Sequence, residues 1–182
     1  MNSSKEKVIE LSKTKMLLLI FGTLIFVGIG LWMISLDAAH IESRRRFNNP
    51  LFVHGLGYVS MVFFGLCGII VLKKLFDKKP GFILNNTGIT DNSSGFSAGF
   101  VAWDEIIGFD VYQTHNQKML VVLLKNPEKY IEIGSSIRRF FIKASYKMMG
   151  SPVVITSSSL KMNFDELLKT CNEYYAKYGN TA

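Results

Sequence analysis

Cysteine is scarce in this chain, two in 182 residues. Cys67 falls in an apolar run and Cys171 in a stretch of helical periodicity. Such a pair makes neither a disulfide framework nor a metal-ligand spacing, so both read as small apolar side chains in a reducing compartment. Catalytic patterns are missing too. No HExxH, GxSxG or P-loop pattern occurs, and beyond residue 80 the only histidine is His115, in the polar turn 114–117. A general base or a metal site needs convergent partners, and His115 has none in the sequence. Asp104 and Glu105 are adjacent, and neighbours on a strand point to opposite faces, which suits a solvated edge or a cap and not an acid/base pair. The run Asp91-Asn92-Ser93-Ser94 offers oxygen ligands but lacks the Gly and the terminal Glu of a calcium loop, and reads as a turn. The chain is therefore expected to be no enzyme and to carry no metal or cofactor.

Charge is also thin. Charged residues make 19% of the chain against 48% hydrophobic, with a mean hydropathy of +0.22, too apolar for disorder. The net charge is +7, but residues 1–79 hold 11 Lys/Arg against 5 Asp/Glu, and residues 80–182 hold 10 against 9. The basic surplus lies beside apolar runs and does not form a basic globule, which argues against nucleic acid as a partner.

What the sequence does contain is two long apolar runs. Residues 16–36 read MLLLIFGTLIFVGIGLWMISL, 21 residues without an ionisable group. At 1.5 Å per residue that crosses a hydrocarbon core of roughly 30 Å. It is too long for a signal-peptide apolar region, and the only small-residue stretch nearby is 35–39. Residues 51–72 form a second span of 22 residues whose one ionisable group, His54, lies at headgroup depth. Glycines in both spans permit close helix approach, and Trp32 and Tyr58 suit the interface. The 14 residues 37–50 between the spans dictate an antiparallel hairpin. Eight lysines flank its outer ends (Lys5, Lys7, Lys13, Lys15, Lys73, Lys74, Lys78, Lys79), against Arg44, Arg45 and Arg46 in the loop. Both termini are expected in the cytoplasm, with the arginines at headgroups.

The expected organisation is a basic arm over 1–15, spans at 16–36 and 51–72, a loop over 37–50, a basic linker over 73–80 and a domain over 81–182. In that domain short alternating segments separated by Gly, Asn, Asp, Ser and Pro predict antiparallel strands near 82–84, 89–90, 100–103, 106–112, 119–124, 130–133 and 153–155. Asn85-Asn86-Thr87-Gly88 predicts a hairpin and 91–95 a second turn. Asn163 predicts the N-cap of a final amphipathic helix carrying Phe164, Leu167, Leu168, Cys171, Tyr174 and Tyr175 and ending at Gly179. The fold class is an α+β membrane protein: a transmembrane hairpin, then about seven antiparallel strands closed by one helix, the order of pleckstrin-homology-like (PH-like) domains.

Two spans followed by KKLFDKKPGFILNNTGITDNSS, AGFVAWDEIIGFDV, VVLLKNPEKYI and GSPVVITSSSLKMNFDELL resemble a small bacterial family of inner-membrane proteins with a C-terminal PH-like domain, known mainly by an enterobacterial locus tag. The resemblance covers nearly the whole chain and is densest at Gly88–Asp91 and Trp103–Ile106. The Trp-Asp-Glu-Ile stretch also resembles part of bacterial PH and GRAM-like modules. What this implies is the fold and a bacterial inner-membrane location; the family supplies no catalytic residue to carry over.

The segment 135–149, SSIRRFFIKASYKMM, places Ile137, Phe141, Ala144 and Met148 at helical spacing, with Arg138, Arg139, Lys143 and Lys147 off that stripe. Two readings stand: the stripe packs on the sheet, or the segment lies on an anionic leaflet with its aromatics embedded. The residues that would meet lipid are Arg138, Arg139, Phe140, Lys143 and Lys147. The expected function is a membrane-anchored interaction module whose partners are membrane lipid or a membrane protein, a second copy included. The alternative is an accessory or regulatory subunit of a membrane transporter or assembly, disfavoured by the lack of charged groups at mid-membrane.

Overall fold

A computed structural model describes residues 6–43, 47–115 and 117–179. Of the features read from sequence, the Arg44–Arg46 triplet and Lys5 lie outside the described residues. The chain is a mixed α+β protein that divides into two compact units, Lys13–Asp77 and a body built from both sides of it.

The first unit is the apolar hairpin. Helix α1 (Lys13–Ser35) and helix α3 (Pro50–Leu75) are joined through a short helix α2 (Ala38–Glu42). Both long helices are long and apolar enough to cross a membrane. Asn49 caps α3, its side chain accepting from the Phe52 amide at 3.2 Å, and Pro50 occupies the first turn, where a missing N–H costs nothing. Glycine sets the crossing of α1 and α3. A Cβ on Gly57 would stand 2.8 Å from the Gly30 carbonyl oxygen, and one on Gly30 would stand 2.8 Å from that of Gly57. Ser60 Oγ donates across the pair to the Phe26 carbonyl at 3.1 Å, Phe26 and Phe64 stack with centroids 4.3 Å apart, and His54 Nε2 lies 2.9 Å from the Leu36 carbonyl. The remaining surface, including Leu18, Phe21, Leu24, Val59, Phe63 and Leu66, is exposed and apolar.

Among the described residues the second unit has seven strands in two antiparallel sheets. Strands β1 (Lys7–Ile9), β2 (Phe82–Leu84), β3 (Gly88–Asp91) and β4 (Gly99–Ala102) lie in that order in one; β5 (Ile106–Thr114), β6 (Gln117–Leu124) and β7 (Val154–Ile155) form the other. Helices α4 (Pro127–Ile131), α5 (Ser136–Met149) and α6 (Phe164–Tyr178) complete it. Phe82, Leu84, Ile89 and Val101 from the first sheet, Leu120, Val122 and Ile155 from the second, and Leu167 and Cys171 from α6 are fully buried. Asn163 caps α6, accepting from the Glu166 amide at 2.8 Å as its position predicts, and Tyr175 on that helix donates to the Ile106 carbonyl at 3.1 Å. Burial pushes the Cys171 thiol up to about 12, so it is a core side chain at neutral pH.

Two expectations need correction. The arm 1–15 is not simply an arm: Lys7, Val8 and Ile9 pair antiparallel with Leu84, Ile83 and Phe82, so the apolar hairpin is inserted between the first and second strands of one sheet. Ile9 and Leu11 are buried, Ser12 N donates to the Ser159 carbonyl at 2.7 Å and Leu11 bridges Leu160. Nor is 130–133 a strand. Asn126 and Pro127 open α4 there; Tyr130 and Ile131 are its last two residues and are buried, Glu132 caps it, and Ile133 lies beyond it outside any strand. Seven strands result, with Lys7–Ile9 in place of 130–133.

Candidate membrane-contact surface

Helix α5 begins where Ser135 accepts from the Arg138 amide at 3.4 Å, and ends where Gly150 turns into the left-handed region at φ 76° and donates to the Tyr146 carbonyl at 2.9 Å. Only glycine takes that last conformation freely. One narrow face anchors the helix: Ile142 is 3% exposed, with Arg138, Ser145 and Met149 partly covered beside it. At 100° per residue these four lie within a single stripe.

The apolar stripe read from sequence lies elsewhere on the helix. Ile137, Phe140 and Met148 are 65%, 69% and 68% exposed, and Phe141 is exposed as well while stacking on Phe96 with centroids 4.3 Å apart. With Ala144 these residues span roughly 100° of the helix surface, next to the anchoring stripe. The reading in which the stripe packs on the sheet is therefore corrected: Ile142, outside the stripe, makes the core contact. Exposed Ile133, just before the helix, lies close in sequence to this face.

Arg139, Lys143 and Lys147 recur at intervals of four along the other border of the apolar face, all exposed. The ion pairs among the described residues involve Lys74, Lys118, Lys129, Lys161 and Lys169, and none of these three. Arg138 does not join the row. Its guanidinium donates to the Ile133 carbonyl and, at 3.1 Å, to the Ser97 carbonyl, fixing α5 to the loop before β4. Of the five residues singled out from sequence, four share the exposed surface and one holds the helix in place.

The other polar clusters are structural. Asp104 and Glu105 lie in one 3-10 turn, and the Glu105 carboxylate accepts from Lys129 Nζ and from the Tyr130 hydroxyl, tying α4 to the start of β5. Those two hydrogen bonds hold its carboxyl below the usual carboxylate value. Sequence reading missed this tie, since nothing local links residue 105 to residue 130. Asp91 is buried and accepts from Ser93 N at 2.9 Å and Ser93 Oγ at 2.6 Å, a closed turn; burial raises its pKa, partly offset by those bonds. Asn85 similarly accepts from Thr87 N at 2.9 Å and Gly88 N at 3.1 Å, and its carbonyl accepts from the buried Trp103 indole at 2.9 Å. His115 is exposed at φ 50° with Thr114 Oγ1 3.4 Å away. Among the described residues no group of three or more His, Cys, Asp or Glu side chains is placed to hold a metal ion. No family model, curated protein or solved structure matches the chain.

Proposed function

We propose that this chain is a non-enzymatic, membrane-anchored module of a bacterial inner membrane: α1 and α3 span the bilayer, a PH-like body is held at the cytoplasmic leaflet, and α5 docks on anionic lipid headgroups. The observation that carries the reading is the α5 surface, an exposed apolar face bordered by an unpaired basic row. Soluble proteins seldom leave such a face uncovered, and anionic headgroups over hydrocarbon match its two chemistries in the right order.

Four further facts support the rest. In each long helix only 6% of the most apolar window is buried, unlike the core helix of a soluble protein. Because β1 precedes α1 and pairs with β2, which follows α3, both ends of the hairpin return to one domain; two crossings then leave both termini on one side. The eight lysines at those ends favour the cytoplasmic side. Four strands, then three, then a closing helix is the support for PH-like architecture.

The test is amide hydrogen exchange on the full chain in nanodiscs. Docking predicts that α5 exchanges more slowly in anionic than in zwitterionic lipid while β2 to β6 do not change. Equal exchange of α5 in the two lipids contradicts it.

A further inference from the structure

The end of the hairpin nearest the connecting loop contains a cavity of about 220 Å³, partly open to the outside. Ile41 of α2 and Val53 of α3 form its floor, 1% and 6% exposed, and Trp32, Phe47, Phe52 and Leu56 form a rim that is itself exposed. Phe47 and Phe52 lie parallel at the mouth, centroids 6.3 Å apart. These six side chains are apolar or aromatic, with the Trp32 indole bearing the only N–H among them. Empty, such a space forfeits dispersion contacts along its whole lining. Water does not replace them, since apolar cavities of roughly 150 Å³ stay dry yet accept a six-carbon ring. A space of about 220 Å³ takes a longer hydrocarbon segment than that.

Depth identifies the hydrocarbon. Trp32 lies in the last turn of α1, and Leu56 is only six residues past the start of α3. The rim therefore lies within roughly 9 Å of the end of each helix. In a bilayer with a core of roughly 30 Å, that level holds the acyl carbons nearest the glycerol and the aromatic belt. We propose that this cavity is a lipid site that seats the glycerol-proximal part of one phospholipid acyl chain. The site lies at the loop end of the hairpin and shares no residue with α5; it rests on the reading that α1 and α3 span the bilayer. Among the described residues the lining has no ionic group, so what they select is the acyl chain.

Native mass spectrometry of the full chain, extracted from membranes in mild detergent, tests this. One phospholipid is expected to remain on each wild-type chain. Val53→Trp fills the floor and should lower the retained fraction by roughly tenfold or more, about 1.4 kcal/mol in binding. Leu66→Trp, at an exposed site farther along α3, should leave it unchanged. Leu56→Trp blocks the rim and repeats the comparison should Val53→Trp fail to fold. A wild-type chain without lipid, a free fatty acid in its place, a second copy of the chain in place of lipid, or equal retention by the filled variants each overturns the proposal. Carbonate extraction of the same membranes separates the two readings: release of the chain removes the span itself, whereas a retained chain with no lipid removes only the cavity site.

Discussion

Substituting Gln for Arg139, Lys143 and Lys147 together removes the basic border of α5 and leaves its anchor, Ile142, and its clasp, Arg138, untouched. A cation near an anionic leaflet contributes about 1 kcal/mol, so three contribute about 3 kcal/mol, or roughly 150-fold in the docking equilibrium. The apolar face adds its own part. Burying a large apolar side chain yields about 1.5 to 3 kcal/mol, and Ile137, Phe140 and Met148 are two-thirds exposed, so each is expected to give about 1 to 2 kcal/mol. The two contributions are of similar size, and only the first is screened by salt. A polarity-sensitive fluorophore at Ala144→Cys, on the apolar face, reads docking in nanodiscs. Cys67→Ser removes the accessible thiol, and buried Cys171 stays unreactive. In anionic lipid the wild-type label should emit as if in hydrocarbon and shift toward the aqueous value with added salt. The triple Gln variant should dock less at low salt and depend little on salt, so that the two proteins converge as salt rises. An unchanged salt profile, or the same emission in zwitterionic lipid, refutes the electrostatic half of the reasoning.

Gly57→Ala should destabilise the hairpin by about 1 to 3 kcal/mol, because its new Cβ meets the Gly30 carbonyl and Ile34; Gly22→Ala, facing open space, should not lower stability, and thermal unfolding in detergent compares them. Ile9→Ala, in the strand that precedes the hairpin, should lower the stability of the β-rich body by about 2 to 4 kcal/mol, read by its resistance to protease; no effect would mean that β1 is not part of that body's core. Glu105→Gln addresses pH. Its folded carboxyl is held below the ordinary value of 4.5 by Lys129 and Tyr130, so its contribution is fully present above that value and is lost as pH falls through the folded one. Acid melts of the wild type should therefore lose stability below about pH 4.5, and the Gln variant should lose less over the same interval.

The apolar helices were legible because their signal is local: 21 and 22 residues with a single ionisable group between them admit few other structures. The Asn85 turn and the Asn163 cap were legible for the same reason, each being a side chain answering backbone amides two or three residues away. Strand β1 was not. Three residues, Lys-Val-Ile, carry no periodicity, and their partner Leu84 lies beyond an insertion of more than sixty residues. At 130–133 alternation misled, because Pro127 at the first helical position sets the backbone and the Glu105 carboxylate holds Tyr130 from a distant turn. The helical period of α5 was visible, yet its inward face was not. One residue, Ile142, decides which side is anchored, and that depends on what the rest of the body leaves open.

Labelling with a membrane-impermeant maleimide tests the central claim most directly, using full chains with Cys67→Ser and one new cysteine each, at Glu6, Asp37 or Lys177. If the hairpin crosses a bacterial inner membrane from one body and returns to it, Glu6→Cys and Lys177→Cys react only after the membrane is permeabilised. Asp37→Cys, at the loop end, reacts from outside in intact spheroplasts. Opposite behaviour of Glu6→Cys and Lys177→Cys, or a protected Asp37→Cys, contradicts the account.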